Sequence, residues 1–578
     1  MTITYPSLYY LFAQAASVGG VLLICVITAI IGYRRSRKHG LPKRDSWKQF
    51  GYWSFVAFWL ACPWFVLVAA GFNGVAWYGG AIIMSLLWIA VFLHLIRRIP
   101  EYSNPDRTAF YYRYGVSIAN GIRHFPPKYT AAIISAILIV SFISCLFVHT
   151  ICLTHFPFRV TTYMTRKIEG PGCPKGRVCH FILTVPEDLS VAVIANFQTN
   201  DKPVSSFAMV DTVSQKDYFK GRTRIPIADF NNPYKRLIQA SSFKMDNIRE
   251  EDRYVHWADV TGLQPATTYY ISVAYQTGND LYFFEERKFR TAPNDNSTIV
   301  FVDGGDMSLT QVGDELSRVA ATTEPLFAMI GGDLAYDNGF DCCYKIWDDW
   351  FERWDAALQT PTGYTVPLIG AIGNHEAGGW NTKRNTVPFY IRYLPFQTGL
   401  QSVGPNERYT NHTHQIGPNV LIVVLDSAVV TSIESQNEWL DGVLANTNST
   451  FKFGCYHIAM YPCTYVKADY DITLRARHNW APIFDRHNLS IGFEHHYHLY
   501  KRSKPLVGGA VNPSGTVYLG DGSWGVTTIL KTFNYDYIDV THKYSHFIRT
   551  VANPTSSLLQ IDAIGKSGDI FDTWNRTM

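Results

Sequence analysis

Seven residues at the ends of short apolar runs carry side chains that hold cations. They are Asp306 in TIVFVDGGDMS, Asp333 and Tyr336 in GGDLAYDNG, Asn374 in VPLIGAIGNHE, His457 in FKFGCYHIAMY, and His496 and His498 in LSIGFEHHYHLYKR. Carboxylates, an amide, a phenol and imidazoles together suit hard to borderline cations. One such run means little, because a lone strand-end histidine is commonly a hydrogen-bonded surface residue. Five runs of this composition point to metal. Seven donors, one of them a carboxylate suited to bridging, predict two ions. Two ions a few ångströms apart are an apparatus for in-line displacement at phosphorus. Three further residues flank these positions and are candidate acid–base groups: His375, Glu376 and His495.

The elements that must present these side chains are short. Apolar strands end in polar clusters, and helical segments such as QVGDELSRVA and NEWLDGVL lie between some of them. Strand, polar tip, helix, strand is the grammar of a layered α/β domain. In such domains ligand groups gather at the carboxyl ends of strands. Gly331 and Gly332 allow a sharp turn before Asp333. We place this domain at residues 294–578.

Residues 156–293 read as all-β. The segment LQPATTYYISVAYQT has a turn at Pro265 followed by an alternating strand. It resembles a fibronectin type III domain, and that resemblance implies that one of Tyr269 and Tyr270 is a corner tyrosine. No chemistry is assigned to this region.

Residues 1–155 have a different character. Apolar stretches run from about Leu11 to Tyr33, Trp53 to Phe72, Trp77 to Ile96 and Thr130 to Cys152. Each is near the ~20 residues that cross a bilayer core, so the expectation is a four-helix transmembrane region. Arg34, Arg35, Arg37, Lys38, Lys43, Arg44 and Lys48 crowd the first loop, and the third loop is basic as well. The positive-inside rule puts both in the cytoplasm, with the N-terminus and everything after residue 155 on the other side. The expected localisation is an integral membrane protein of the cell surface, lysosome or vacuole. Five glycosylation sequons, at Asn296, Asn411, Asn448, Asn488 and Asn575, fall in that outer part. Six cysteines do too, and Cys173 with Cys179 is the favoured local disulfide.

With 578 residues the chain exceeds a single core. A net charge of +4 argues against a general nucleic-acid binder. The almost uncharged apolar stretches argue against a transported substrate.

The set G-D-M, G-D-x-x-Y, G-N-H-E, a strand ending in His, and H-x-H-x-Y-x-R resembles the purple acid phosphatases, metallophosphoesterases of calcineurin-like fold. The resemblance spans about residues 160–575. It implies a ferric ion on Asp306, Asp333, Tyr336 and His498, and a divalent iron, zinc or manganese on Asp333, Asn374, His457 and His496. It also implies hydrolysis of phosphate monoesters, on small molecules or phosphoproteins, by a hydroxide held between the ions. The tyrosine would bind iron as phenolate. A phosphodiesterase of the same fold, or a receptor with reduced catalysis, is the alternative. Three departures stand out, the first being Met307 and Ser308 after Asp306, where the family has D-x-G. His495 replaces a glycine of the family. Lys467 stands near the position of its usual acid–base histidine, which leaves His375, Glu376 or His495 as proton donor.

Overall fold

The computed structural model describes Ile30, Arg34 and residues 171–464, 469–526, 528 and 531–578. The chain divides into two compact units, 1–168 and 169–578. The second unit is mostly β-sheet, with few helices.

The expected four-helix transmembrane region, and with it the integral-membrane localisation, is corrected here. Among the described residues no helix is long and apolar enough to cross a membrane. The four apolar stretches themselves lie outside the described residues, apart from Ile30. Apolar density was the whole basis of that expectation. It is shared by membrane spans and by buried helices, so it does not separate the two.

A ten-stranded sheet runs through the second unit. Its order is Ile570–Thr577, Leu558–Gly565, His546–Asn553, Ile299–Gly304, Ala328–Ile330, Leu368–Gly370, Cys179–Thr184, Val193–Thr199, Tyr254–Val260 and Ser241–Lys244. The N-terminal β-region and the region after residue 294 therefore share one sheet. The join is parallel, Thr184 opposite Leu368, with Val185 N donating to Leu368 O at 3.0 Å.

A seven-stranded sheet faces its later part, in the order His412–Ile416, Val420–Val424, Phe451–Tyr456, Ile491–Glu494, Val517–Asp521, Tyr500–Ser503 and Ile538–His542. Phe301, Phe327, Met329 and Ile369 from one sheet interlock with Ile422, Phe453, Phe493 and Leu519 from the other. Phe301 meets Phe453 edge-on, with centroids 5.3 Å apart, a favoured aromatic arrangement. The central strands Ala328–Ile330, Leu368–Gly370, Val420–Val424 and Ile491–Glu494 are buried throughout, which explains their near-continuous apolar runs.

The N-terminal β-region packs its part of the long sheet on a second sheet built around Thr268–Thr277 and Ser205–Asp211. Of the two tyrosines, Tyr269 is the one that turns back, its Oη accepting from Gln264 N at 2.8 Å. Cys173 and Cys179 are disulfide-bonded. Asn411 is buried, while Asn296, Asn448, Asn488 and Asn575 are exposed.

Candidate metal centre

The strands Ile299–Gly304, Ala328–Ile330 and Leu368–Gly370 are mutually parallel, as are Val420–Val424, Phe451–Tyr456 and Ile491–Glu494. Asp306, Asp333, Asn374, His457, His496 and His498 all follow the carboxyl ends of these strands within a few residues. Parallel alignment brings those ends to one edge, and the two sheets bring the two edges together.

The donors converge there. His457 Nε2 lies 3.2 Å from Asp333 Oδ2, 3.0 Å from Asn374 Oδ1 and 3.3 Å from His496 Nδ1. The ligating atoms of Asp333, His457 and His496 all fall within 4.8 Å of one another. On the neighbouring side, Tyr336 Oη donates to Asp306 Oδ1 at 3.2 Å, and His498 Nε2 is 3.1 Å from the same oxygen. Asp333 stands between the two groups. Its Oδ1 accepts from His375 N at 2.8 Å. Its Oδ2 is buried with no hydrogen-bond partner among the described residues.

This arrangement fits cations. His457 Nδ1 faces the Gly331 carbonyl at 2.9 Å, so the ring's proton belongs on Nδ1. Nε2 then turns a lone pair toward a carboxylate, an amide oxygen and another imidazole nitrogen. Acceptors crowded this way need a positive charge among them. Burial alone would depress the His457 imidazole, but Asp333 and Asp306 overcome it and push it up to about 10. Burial works against Asp333 too, yet His457 and His375 hold its carboxylate well below the usual range. Burial, Asp306 and Asp333 push the Tyr336 phenol well above its ordinary value. A phenolate there requires a strongly charged cation, and binding one would release the proton.

His375 sits at the pocket edge with 27% of its side chain open. Its Nδ1 is hydrogen-bonded to Asn338 Oδ1, its ring is 4.3 Å from that of Tyr336, and its Nε2 is 3.8 Å from Asp333 Oδ2. Burial holds the imidazole below its ordinary value.

Glu376 and His495 lie elsewhere. Glu376 is fully buried and ties two ligand loops together. Its Oε2 accepts from Asp333 N at 2.9 Å and Gly373 N at 2.8 Å, and its Oε1 from Leu334 N at 2.7 Å. Burial, then Asp333, pushes its carboxyl up to about 8. His495 is 1% exposed and lies beneath the ligand loops rather than at the rim. Its Nδ1 bonds to Tyr456 O at 2.8 Å, and its Nε2 faces Asp303 Oδ2 at 3.4 Å. It fills the space left by glycines: a Cβ on Gly331 would come within 1.9 Å of its ring. Lys467 lies outside the described residues.

Sequence reasoning passed over three neighbours. Ser427 Oγ accepts from His457 N at 3.1 Å and Ile458 N at 3.0 Å, holding the turn that presents His457. Asp469 Oδ2 is 3.0 Å from His496 Nε2. Trp380 Nε1 donates to Asp469 Oδ1 at 3.0 Å. Ser427 closes the run VLIVVLDS, whose place beside the ligand strands was a signal. For Asp469 and Trp380 the sequence carries none.

Residues 178–291 match the family described as the purple acid phosphatase N-terminal domain. An uncharacterised protein of Mycobacterium tuberculosis is 25% identical over 391 residues, 62% of this chain and 68% of its own length. The purple acid phosphatase PPD1 from yellow lupin (Lupinus luteus) seeds superposes with a TM-score of 0.55 at 14% identity, covering 69% of this chain and 74% of that one. At that identity the likeness is one of fold.

Proposed function

We propose that this protein is a binuclear metallophosphoesterase acting on phosphate monoesters. One observation carries the reading: Asp333 Oδ2 is buried and faces His457 Nε2 at 3.2 Å, the donor atoms of Asp333, His457 and His496 lie within 4.8 Å of one another, and Asn374 Oδ1 is 3.0 Å from His457 Nε2. The purple acid phosphatase match over residues 178–291 and the likeness of fold support it.

Asp306, Asp333, Tyr336 and His498 would hold a ferric ion. Asp333, Asn374, His457 and His496 would hold a divalent iron, zinc or manganese, with Asp333 shared. When bound, such a pair supplies charge neutralisation for a phosphoryl group and a water made acidic enough to attack it. The residues of the chain supply the rest. Asn338 fixes the His375 ring through Nδ1 and leaves Nε2 beside the shared carboxylate, 3.8 Å from Asp333 Oδ2. Protonated there, His375 gives its proton to the departing alkoxide. Trp380 walls the site behind His457 and His496, with ring centroids 5.9 and 5.2 Å away. We assign Glu376 and His495 to supporting the ligand loops.

The test is metal content together with hydrolysis of p-nitrophenyl phosphate and its bis-ester between pH 4 and 8, for wild type and Asp333→Asn. The expected result is two ions per chain, monoester preference, and loss of both ions and activity in the variant. A chain that takes up no metal, or an Asp333→Asn chain that keeps its activity, would sink the proposal. Preference for the bis-ester would move the assignment to phosphodiesterase.

A further inference from the structure

The two imidazoles on the divalent side are oriented by unlike groups. His457 turns its spare nitrogen to a neutral backbone carbonyl, Gly331 O. His496 turns its spare nitrogen to a carboxylate, Asp469 Oδ2, at 3.0 Å. Asp469 is itself fixed. Its Oδ1 accepts from Trp380 Nε1 at 3.0 Å, and its backbone carbonyl accepts from Thr473 N at 3.0 Å, in the first turn of the helix Tyr470–Arg486. The His496 ring is also hemmed in. Trp380 meets it edge-on with centroids 5.2 Å apart, and Tyr497 lies 5.0 Å away.

We propose that Asp469, held by Trp380, is a positioning residue for His496. The carboxylate keeps the His496 proton on Nε2 and leaves the Nδ1 lone pair facing His457 and Asp333. A carboxylate behind an imidazole also makes it a stronger electron donor than a carbonyl does. The divalent ion thus depends on a residue it does not touch. The indole has a double use: its N–H holds the carboxylate and its ring packs against the imidazole.

This inference rests on the binuclear reading above, and the experiment separates the two. The full chain is loaded with zinc, and the affinity of each ion is measured by chelator competition in wild type, Asp469→Ala, Asp469→Asn and Trp380→Phe. Removing such an outer partner commonly costs about 10–100-fold in metal affinity. The expected result is a loss of that size for one ion only in Asp469→Ala. Asp469→Asn keeps an oxygen acceptor without the charge and should fall between it and wild type, and Trp380→Phe should lose less. A purely structural role would not act on one ion alone. If Asp469→Ala does not fold, Asp469→Asn and Trp380→Phe decide. Wild-type affinities for both ions in every variant that folds would overturn the proposal while leaving the binuclear reading intact. A wild-type chain that binds no ion would overturn both.

Discussion

Asp306, Asp333, Tyr336 and His496 share an uncommon backbone conformation, with φ of 57°, 53°, 64° and 68°. Left-handed geometry in residues other than glycine costs on the order of 1 kcal/mol each and persists where the surroundings enforce it. Here four of the seven proposed ligands adopt it. His375 has 27% of its side chain open, and its proposed role is testable by leaving group. Replacing His375 with Asn should slow hydrolysis of an alkyl phosphate about 10²–10⁴-fold. p-Nitrophenyl phosphate, whose leaving group needs no proton, should be slowed far less. Equal slowing of both substrates would exclude proton donation by His375.

At the scale of elements, the loops after Ile330 and Gly370 act as one piece. Glu376 accepts three backbone N–H groups from them, and Gly373 permits the contact itself. A Cβ on Gly373 would lie 2.2 Å from Asp333 Oδ1 and 2.4 Å from Asp333 N. Neither atom can yield without moving the shared carboxylate. Gly373→Ala should therefore leave the folded core intact, with a far-ultraviolet spectrum like wild type. It should nevertheless lose at least about tenfold in metal affinity, the scale of a disturbed ligand shell. Wild-type metal content after dialysis against chelator would contradict this.

The whole unit is held by continuity across its regions. Arg253, just before the strand Tyr254–Val260, reaches the helix Tyr344–Ala357 and forms a buried two-point contact with Asp348, with Nη1–Oδ1 at 2.5 Å and Nη2–Oδ2 at 2.9 Å. Glu251 and Gln198 also accept from the guanidinium. Burial works against the Asp348 carboxylate, and Arg253 with His180 holds it below its ordinary value. Asp348→Asn leaves Arg253 short of a charge and should destabilise the unit by about 3–5 kcal/mol, read from chemical denaturation. A change under about 1 kcal/mol would show that the lock is dispensable.

Acid should loosen the same unit through His256, which is stacked on Phe197 at 4.6 Å and bonded to Thr199 and Ser242. Burial pushes its imidazole down to about 3. The folded state thus favours neutral His256, and the stability it contributes is full above the unfolded value near 6.5 and is lost as pH falls from there toward 3. The loss is of order 5 kcal/mol at most. His256→Gln keeps hydrogen-bonding capacity without that titration, so its stability should fall less steeply between pH 6.5 and 3. Parallel pH profiles for variant and wild type would rule His256 out.

Some of this was legible in the chain alone. A donor type at the end of an apolar run can be read from sequence, because strands alternate with turns and ligand side chains must leave the strand to be useful. That logic picks out Asp306, Asp333, Tyr336, Asn374, His457, His496 and His498 without coordinates. It divides the chain near residue 294, where one ten-stranded sheet in fact runs across both regions. It could not tell His375 from His495, both imidazoles beside ligands. Only packing against Gly305 and Gly331 puts the second beneath the floor and leaves the first on the pocket. Nor could it find Asp469 or Trp380, which meet His496 across 27 and 116 residues of chain. Local pattern reports what a residue offers to its own strand. Which partner it meets is decided by how two sheets stack, and that is a property of the fold.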